Sequence, residues 1–327
     1  MAGPVPLLEV RDLKTYFFTR RGTLKAVDGV SFSLAPGETL AVVGESGSGK
    51  SVTALSLLRL VPEPAGRIIE GEILLEGQDI LKLRPRDMRR IRGSRISMVL
   101  QDPMTSLNPA FSIGDQVGEA VRLHQGVGGG ELRRRVAEAL SRLKIPSAES
   151  RMFDYPHQMS GGMRQRVSGA IALSCQPRLL IADEPTTSLD VTIQAQYMEL
   201  LREIQERFQI SIIFITHDFG IVAATAHKVA VMYAGKIVEM GTTEEIFDNP
   251  AHPYTEALLR CVPRSDRLEA RLVDIPGQPP DLANLPSGCS FAPRCPKAMD
   301  RCWEAYPPEV EVSPGHVTKC WLAVKEP

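Results

Sequence analysis

Apolar positions in this chain fall into two rhythms. Short β-branched or apolar runs bounded by turn residues, "LLEVRDL", "GVSFSL" and "TLAVVG", open the sequence and predict strands. Further on, "RISMVL", "RLLIAD", "SIIFIT" and "KVAVMYA" repeat that signal, with helical patterns between several of them. Apolar strands alternating with helices predict an α/β core with buried parallel strands. Between Gln101 and Pro177 the rhythm turns mostly helical, and "ELRRRVAEALSRL" carries apolar residues at helical spacing with charge on the opposite face. Residues 102–176 therefore read as an inserted helical subdomain, with "GVGGG" at 126–130 marking a loop inside it. After residue 248 proline becomes frequent, in "AHPY", "VPRS", "PGQPPDLANLPSG" and "YPPEV". Proline fixes φ and removes a backbone donor, so residues 249–327 read as an irregular extension and not as more sheet.

Length and composition narrow the class. A chain of 327 residues suffices for one large domain with an appendage, or for two ordinary domains. Its 24 % charged and 43 % apolar residues are globular proportions and argue against extended disorder. A formal net charge of -1 gives no electrostatic reason to expect nucleic acid or an anionic membrane as the main ligand. The start "MAGPVPLLEV" lacks the basic residues and long apolar stretch of a signal peptide. No run approaches the ~18 apolar residues of a spanning helix. A soluble cytosolic chain is expected. In that compartment structural disulfides are rare, so clustered cysteines lean towards metal.

The chemistry concentrates in four places. "GESGSGKS" sets Gly44, Gly49, Lys50 and Ser51 in the GxxxxGK[ST] spacing after a strand and before a helical stretch. Glycines at such positions, here with Ser46 and Gly47 between them, let successive N–H groups converge on phosphates. Lys50 then reaches the terminal phosphates and Ser51 offers its hydroxyl to Mg²⁺, which makes nucleoside triphosphate binding the expectation. "RLLIADEP" ends a strand in Asp183 and Glu184, one carboxylate for the Mg²⁺ region and the next for an attacking water. "MSGGMRQR" opens a helix with Ser160, Gly161 and Gly162, an anion-binding end. "IIFITHD" closes another strand with His217, an imidazole suited to donating to a γ-phosphate.

Taken in order, these segments resemble the ATP-binding subunit of an ABC transporter over most of residues 8–248. Gly44–Ser51 match the Walker A loop, Gln101 of "VLQDP" the Q-loop, and Ser160–Gln165 the signature. Asp183 and Glu184 match Walker B, "SLD" with Asp190 the D-loop, and His217 the switch histidine. The resemblance implies an ABC-type ATPase core with a mixed sheet. It also implies two such subunits meeting head to tail, each ATP held between one subunit's Walker A loop and the other's signature. Glu184 would polarise the water, Asp183 and Gln101 would serve the Mg²⁺ sphere with Ser51, and His217 would hold the γ-phosphate. Phe17 aligns with the aromatic that stacks on adenine, with Tyr16 beside it as a competitor. The usual signature is LSGGQ, whereas this chain has Met159 and Met163 at the ends, and a methionine cannot replace the hydrogen bonds of a glutamine amide.

The carboxy-terminal part, from "NPAHPYTEALLRCVP" onward, resembles the extension of oligopeptide and dipeptide permease ATPases, a subgroup that includes nickel importers. Its members work with two transmembrane permease subunits, a sister ATPase and an extracytoplasmic peptide-binding protein. The implied place is peripheral, on the cytoplasmic face of the cell membrane, powering peptide uptake; nickel import and a soluble ABC ATPase are the alternatives. Cys289, Cys295, Cys302 and Cys320 follow a C-x5-C-x6-C-x17-C spacing without a CxxC pair. Four thiolates complement either zinc or an iron–sulfur cluster. The resemblance, whose members hold a 4Fe-4S cluster in this region, favours the cluster; zinc, and free thiols or disulfides, are the alternatives. Arg294, Lys297, Arg301 and Lys319 stand among or beside these cysteines, where they would offset its charge. Cys175 and Cys261 read as small packing residues and His316 as structural.

Overall fold

The structure is a computed structural model and describes residues 5–101, 106–187, 189–262 and 274–324. Its strands in chain order are β1 (Leu8–Thr19), β2 (Gly22–Leu34), β3 (Thr39–Val43), β4 (Gly66–Leu75), β5 (Gln78–Asp79) and β6 (Ile96–Val99). They continue with β7 (Leu179–Asp183), β8 (Ser211–Ile215), β9 (Lys228–Tyr233), β10 (Lys236–Thr242), β11 (Val310–Ser313) and β12 (His316–Thr318). The chain divides into two compact units. One is built mainly from Lys82–Phe214, the other from Leu8–Ser33, Thr39–Leu81 and the chain from Ile215 onward.

In the first unit the strand order is β8-β7-β6, with β6 and β7 parallel. All five residues of β7 and of β8 are buried, which is why both read as unbroken apolar runs. Helices Ile113–Gln125, Gly129–Arg142 and Gly161–Leu173 pack on one another through Val117, Val121, Val136, Leu140 and Val167, all buried. The "GVGGG" stretch is shorter as a loop than its composition predicts. Gly126 closes one helix with φ 66, Gly128 caps the next, and Gly129 and Gly130 already belong to it.

In the second unit β2-β1-β4-β5 form one sheet and β11-β12-β10-β9-β3 run in order in another. β3 and β9 are parallel while β9, β10, β12 and β11 pair antiparallel, so the α/β sheet is mixed. Ala41, Val43, Val229, Val231, Tyr233, Tyr254 and Phe291 make a common core. The carboxy-terminal region thus shares its core with the central strands.

The expectation that this region adds no sheet is corrected by β11 and β12. Its prolines flank the strands, and "VEVSPGHVT" is a hairpin whose turn is Pro314-Gly315, with Ser313 paired to His316. Proline fixes the first turn φ and Gly315 takes φ 81 at the second, the left-handed value a glycine adopts without steric cost. β12 is anchored on β10 by Glu239, a carboxylate with no exposed surface. It accepts from the backbone N–H of Ala251 at 2.6 Å and of His252 at 3.0 Å, and from His316 Nε2 at 2.8 Å.

Candidate nucleotide site

The phosphate loop begins where β3 ends. Gly44, Gly47 and Gly49 take φ of 148, 78 and 107, values only glycine adopts without strain. A Cβ on Gly44 would lie 2.2 Å from the Met232 carbonyl oxygen, and one on Gly49 would lie 2.2 Å from that of Ala26. Among the described residues a Cβ on Gly47 would meet nothing within 4 Å, so the loop is tight at Gly44 and Gly49 but not at Gly47. Helix Lys50–Leu57 starts directly after it, and a helix amino terminus is the end that favours an anion. Lys50 is buried and its Nζ donates to the carbonyls of Gly44 at 2.7 Å and Glu45 at 2.9 Å. Ser46 and Ser51 are exposed. A glycine cradle with a lysine and a hydroxyl at its edge fits the phosphates of a nucleotide and a Mg²⁺ ion.

In the other unit, β7 delivers Asp183, buried, and Glu184, half-buried with φ 44. Gln101 Nε2 donates to Glu184 Oε2 at 2.7 Å and Thr187 Oγ1 donates to the same oxygen at 3.0 Å. The structure therefore brings together Gln101 and Glu184, which are 83 residues apart in sequence. Thr187 was not singled out by the sequence; its signal was its place three residues beyond Glu184.

Ser160 caps helix Gly161–Leu173, its Oγ accepting from the Met163 N–H at 3.3 Å. Position 163 thus serves the cap through its backbone, which a methionine supplies as well as a glutamine. Among the described residues nothing lies within 4 Å of a Cβ on Gly161, whereas one on Gly162 would meet Ile193 Cγ2 at 2.9 Å. Asp190 caps helix Val191–Phe208 by accepting from the Ile193 N–H at 3.0 Å. Of the "SLD" stretch, Ser188 lies outside the described residues.

His217 is exposed just past the end of β8. Of the two aromatics beside each other on β1, Tyr16 is committed within its own unit: its hydroxyl donates to Asp28 Oδ1 at 2.6 Å. Burial and that carboxylate push the phenol up to about 12. Phe17 is half-buried beside Gly66, where a Cβ would come within 2.7 Å of its Cε1.

The cysteines require a correction. Cys289, Cys295, Cys302 and Cys320 line one cleft together with His252, Phe291 and Trp321. Yet among the described residues no group of three or more Cys, His, Asp or Glu side chains is placed to hold a metal ion. The expected iron–sulfur cluster, and the zinc alternative, are overturned. Burial raises the thiols of Cys289, Cys295 and Cys320, the last to about 11, so they pack as neutral, small apolar groups. Nor do the neighbouring cations serve a cluster. Arg294 pairs with Glu45, Lys297 with Glu256 and Lys319 with Glu309, while Arg301 lies 4.8 Å from the Trp321 ring centre.

Two contacts had no counterpart in the sequence reading. Tyr254 Oη accepts from the Glu45 N–H at 2.8 Å, and Arg294 grips the Glu45 carboxylate. Each joins residues more than two hundred positions apart, so no local pattern announces it.

Comparison with known proteins agrees with this geometry. A family model described as ABC transporter matches residues 27–187, and one for the C-terminal region of oligopeptide/dipeptide transporters matches 238–302. The oligopeptide transport ATP-binding protein AppD of Bacillus subtilis is 50 % identical, with 98 % of each chain covered. This chain belongs to the ABC transporter ATPases.

The dipeptide transport ATP-binding protein DppD of Lactococcus lactis is 54 % identical to this ATPase, over 97 % of its chain and 90 % of the relative. Among solved structures, cbiO1 from Clostridium perfringens, part of the ABC transporter complex cbiONQ, aligns with a TM-score of 0.64 at 30 % identity. That match covers 75 % of this chain and 92 % of the other. The dimeric ATP-binding cassette MJ0796 bound to ADP and Pi gives the same TM-score at 24 % identity, covering 72 % and 98 %, and shows the shared fold.

Proposed function

We propose that this ATPase drives uptake of di- and oligopeptides, with residues 1–248 as the nucleotide-binding domain and 249–327 as the peptide-permease extension. The observation that carries the hydrolytic half is the Gln101–Glu184 hydrogen bond at 2.7 Å, which orients the carboxylate that would take a proton from water. Gly44, Ser46, Gly47, Gly49 and Lys50 would cradle the phosphates, and Ser51, Gln101 and Asp183 would hold Mg²⁺. When bound, that ion would supply positive charge against the phosphates. Glu184 takes a proton from water as its oxygen bonds to the γ-phosphorus; the bond to the bridging oxygen breaks, giving ADP and phosphate. His217 donates to the γ-phosphate, and Phe17 stacks on adenine.

A second ATPase subunit, head to tail, completes the site with Ser160, Gly161, Gly162 and Asp190. ATP bonded across that junction favours the closed pair, and hydrolysis releases it. The peptide assignment rests on the relatives' names and the match over 238–302. On that assignment the ATPase works at the cytoplasmic face of the cell membrane, with two permease subunits and an extracytoplasmic peptide-binding protein. Vesicles reconstituted with the ATPase, the permease subunits that co-purify with it and their binding protein should accumulate labelled dipeptide or oligopeptide when ATP is supplied on the ATPase side. Uptake of nickel without peptide would redirect the assignment.

A further inference from the structure

Arg294 reaches the phosphate loop from the carboxy-terminal region, 249 residues away in sequence. It closes the short turn Ala292–Arg294, and its side chain is only 4 % exposed. Nη1 donates to Glu45 Oε2 at 2.7 Å and Nη2 to Glu45 Oε1 at 3.0 Å, a two-pronged grip. Nη1 also donates to Tyr233 Oη at 3.3 Å, Nη2 to the Ile275 carbonyl at 3.2 Å, and Nε to the Pro276 carbonyl at 2.9 Å. A guanidinium has five N–H donors, and these five contacts occupy them all. The Glu45 hydrogen bonds raise the guanidinium above its ordinary pKa.

Glu45 follows the first glycine of the loop, and it is held at three points. Arg294 has its carboxylate, Tyr254 accepts from its N–H at 2.8 Å, and Lys50 Nζ donates to its carbonyl at 2.9 Å. Glycine-rich loops bind phosphate because their N–H groups are aimed beforehand and their potential is positive. A carboxylate in such a loop opposes both, unless a fixed cation neutralises it. Arginine suits that task because it stays charged and its planar fork matches the carboxylate.

We propose that Arg294 is a positioning residue for ATP: by neutralising and fixing Glu45, it makes the affinity of the phosphate loop depend on the seating of the carboxy-terminal region. This rests on Gly44–Ser51 being the ATP loop. A region that shares the core of the central strands thereby also sets the strength of nucleotide binding.

The test is MgATP binding by titration calorimetry on the full chain, with steady-state hydrolysis beside it. Arg294→Ala should weaken MgATP binding roughly tenfold, as expected when a charged hydrogen-bond partner is removed. It should raise KM while kcat changes by less than about twofold, the pattern of lost ground-state binding. Arg294→Lys should recover part of the loss. The discriminating variant is the double Glu45→Gln, Arg294→Ala, in which no unpaired anion faces the phosphates. It should bind within about twofold of Glu45→Gln alone, a coupling that a double-mutant cycle reads directly.

A merely structural arginine would lower the melting temperature without this charge rescue. The proposal is overturned if folded Arg294→Ala binds MgATP like the unmodified protein, or if the double variant binds as weakly as Arg294→Ala. Should Arg294→Ala fail to fold, Arg294→Lys with and without Glu45→Gln decides by the same comparison. Unchanged MgATP binding in Lys50→Ala would instead overturn the loop assignment, and this proposal with it.

Discussion

Glu184 is the residue whose chemistry is most exposed to test. Its backbone φ of 44 is a left-handed value uncommon for a side-chain-bearing residue, and two donors converge on its Oε2. Strain of that kind persists where surrounding contacts over-determine it. Glu184→Gln keeps the shape but removes the proposed base, so turnover should fall by at least about a hundredfold. MgATP binding should persist. Phosphate release and nucleotide titration on one preparation check both halves, and unchanged turnover would remove Glu184 from the mechanism. This site was legible residue by residue where chemistry dictates a spacing, as in Gly44–Ser51 or Asp183–Glu184. It was illegible where a partner comes from far along the chain: Arg294 was noticed only as a neighbour of cysteines, and its bond to Glu45 exists because the fold closes.

At the scale of elements, helix ends hold much of the functional geometry. Ser160 and Asp190 cap their helices in the ordinary way. Helix Pro253–Arg260 is capped by His252, whose Nδ1 accepts from the Tyr254 N–H at 3.0 Å and which is 2 % exposed. Burial pushes this imidazole down to about 3. In the unfolded chain it protonates below about pH 6.5, so between those values the unfolded state binds more protons. Stability must then fall as pH drops from 6.5 towards 3, by at most ~1.4 kcal/mol per unit from this group. His252→Asn keeps a capping acceptor without the titration. Its urea midpoint should drop less between pH 7 and pH 5 than that of the unmodified protein, and equal drops would reject the assignment. The prolines of the carboxy-terminal region hid a hairpin because their composition outweighed the Pro-Gly turn signal. The tertiary contact of Glu239 with His316 then fixed β12 beside β10.

For the whole molecule the decisive property is pairing. On the proposed head-to-tail pairing, in which ATP bonds both partners only in the closed pair, Glu184→Gln should form a tighter dimer with ATP than with ADP, alone or with the proposed sister ATPase. Light scattering with each nucleotide measures this, and a mass indifferent to ATP would sink the head-to-tail arrangement. The sequence by itself determined the α/β class, the glycine loop between β3 and the helix after it, and the order of the segments that carry the proposed site. Each of those is written in local spacing, where backbone geometry and a few side chains suffice. Only the tertiary structure decided what the four cysteines do, that the proline-rich region joins the sheet, and that Arg294 holds the phosphate loop. Those outcomes depend on burial and on partners brought together by folding. Burial raises the thiols of Cys289, Cys295 and Cys320, the cations beside them are committed to other partners, and no spacing of cysteines along a chain records that.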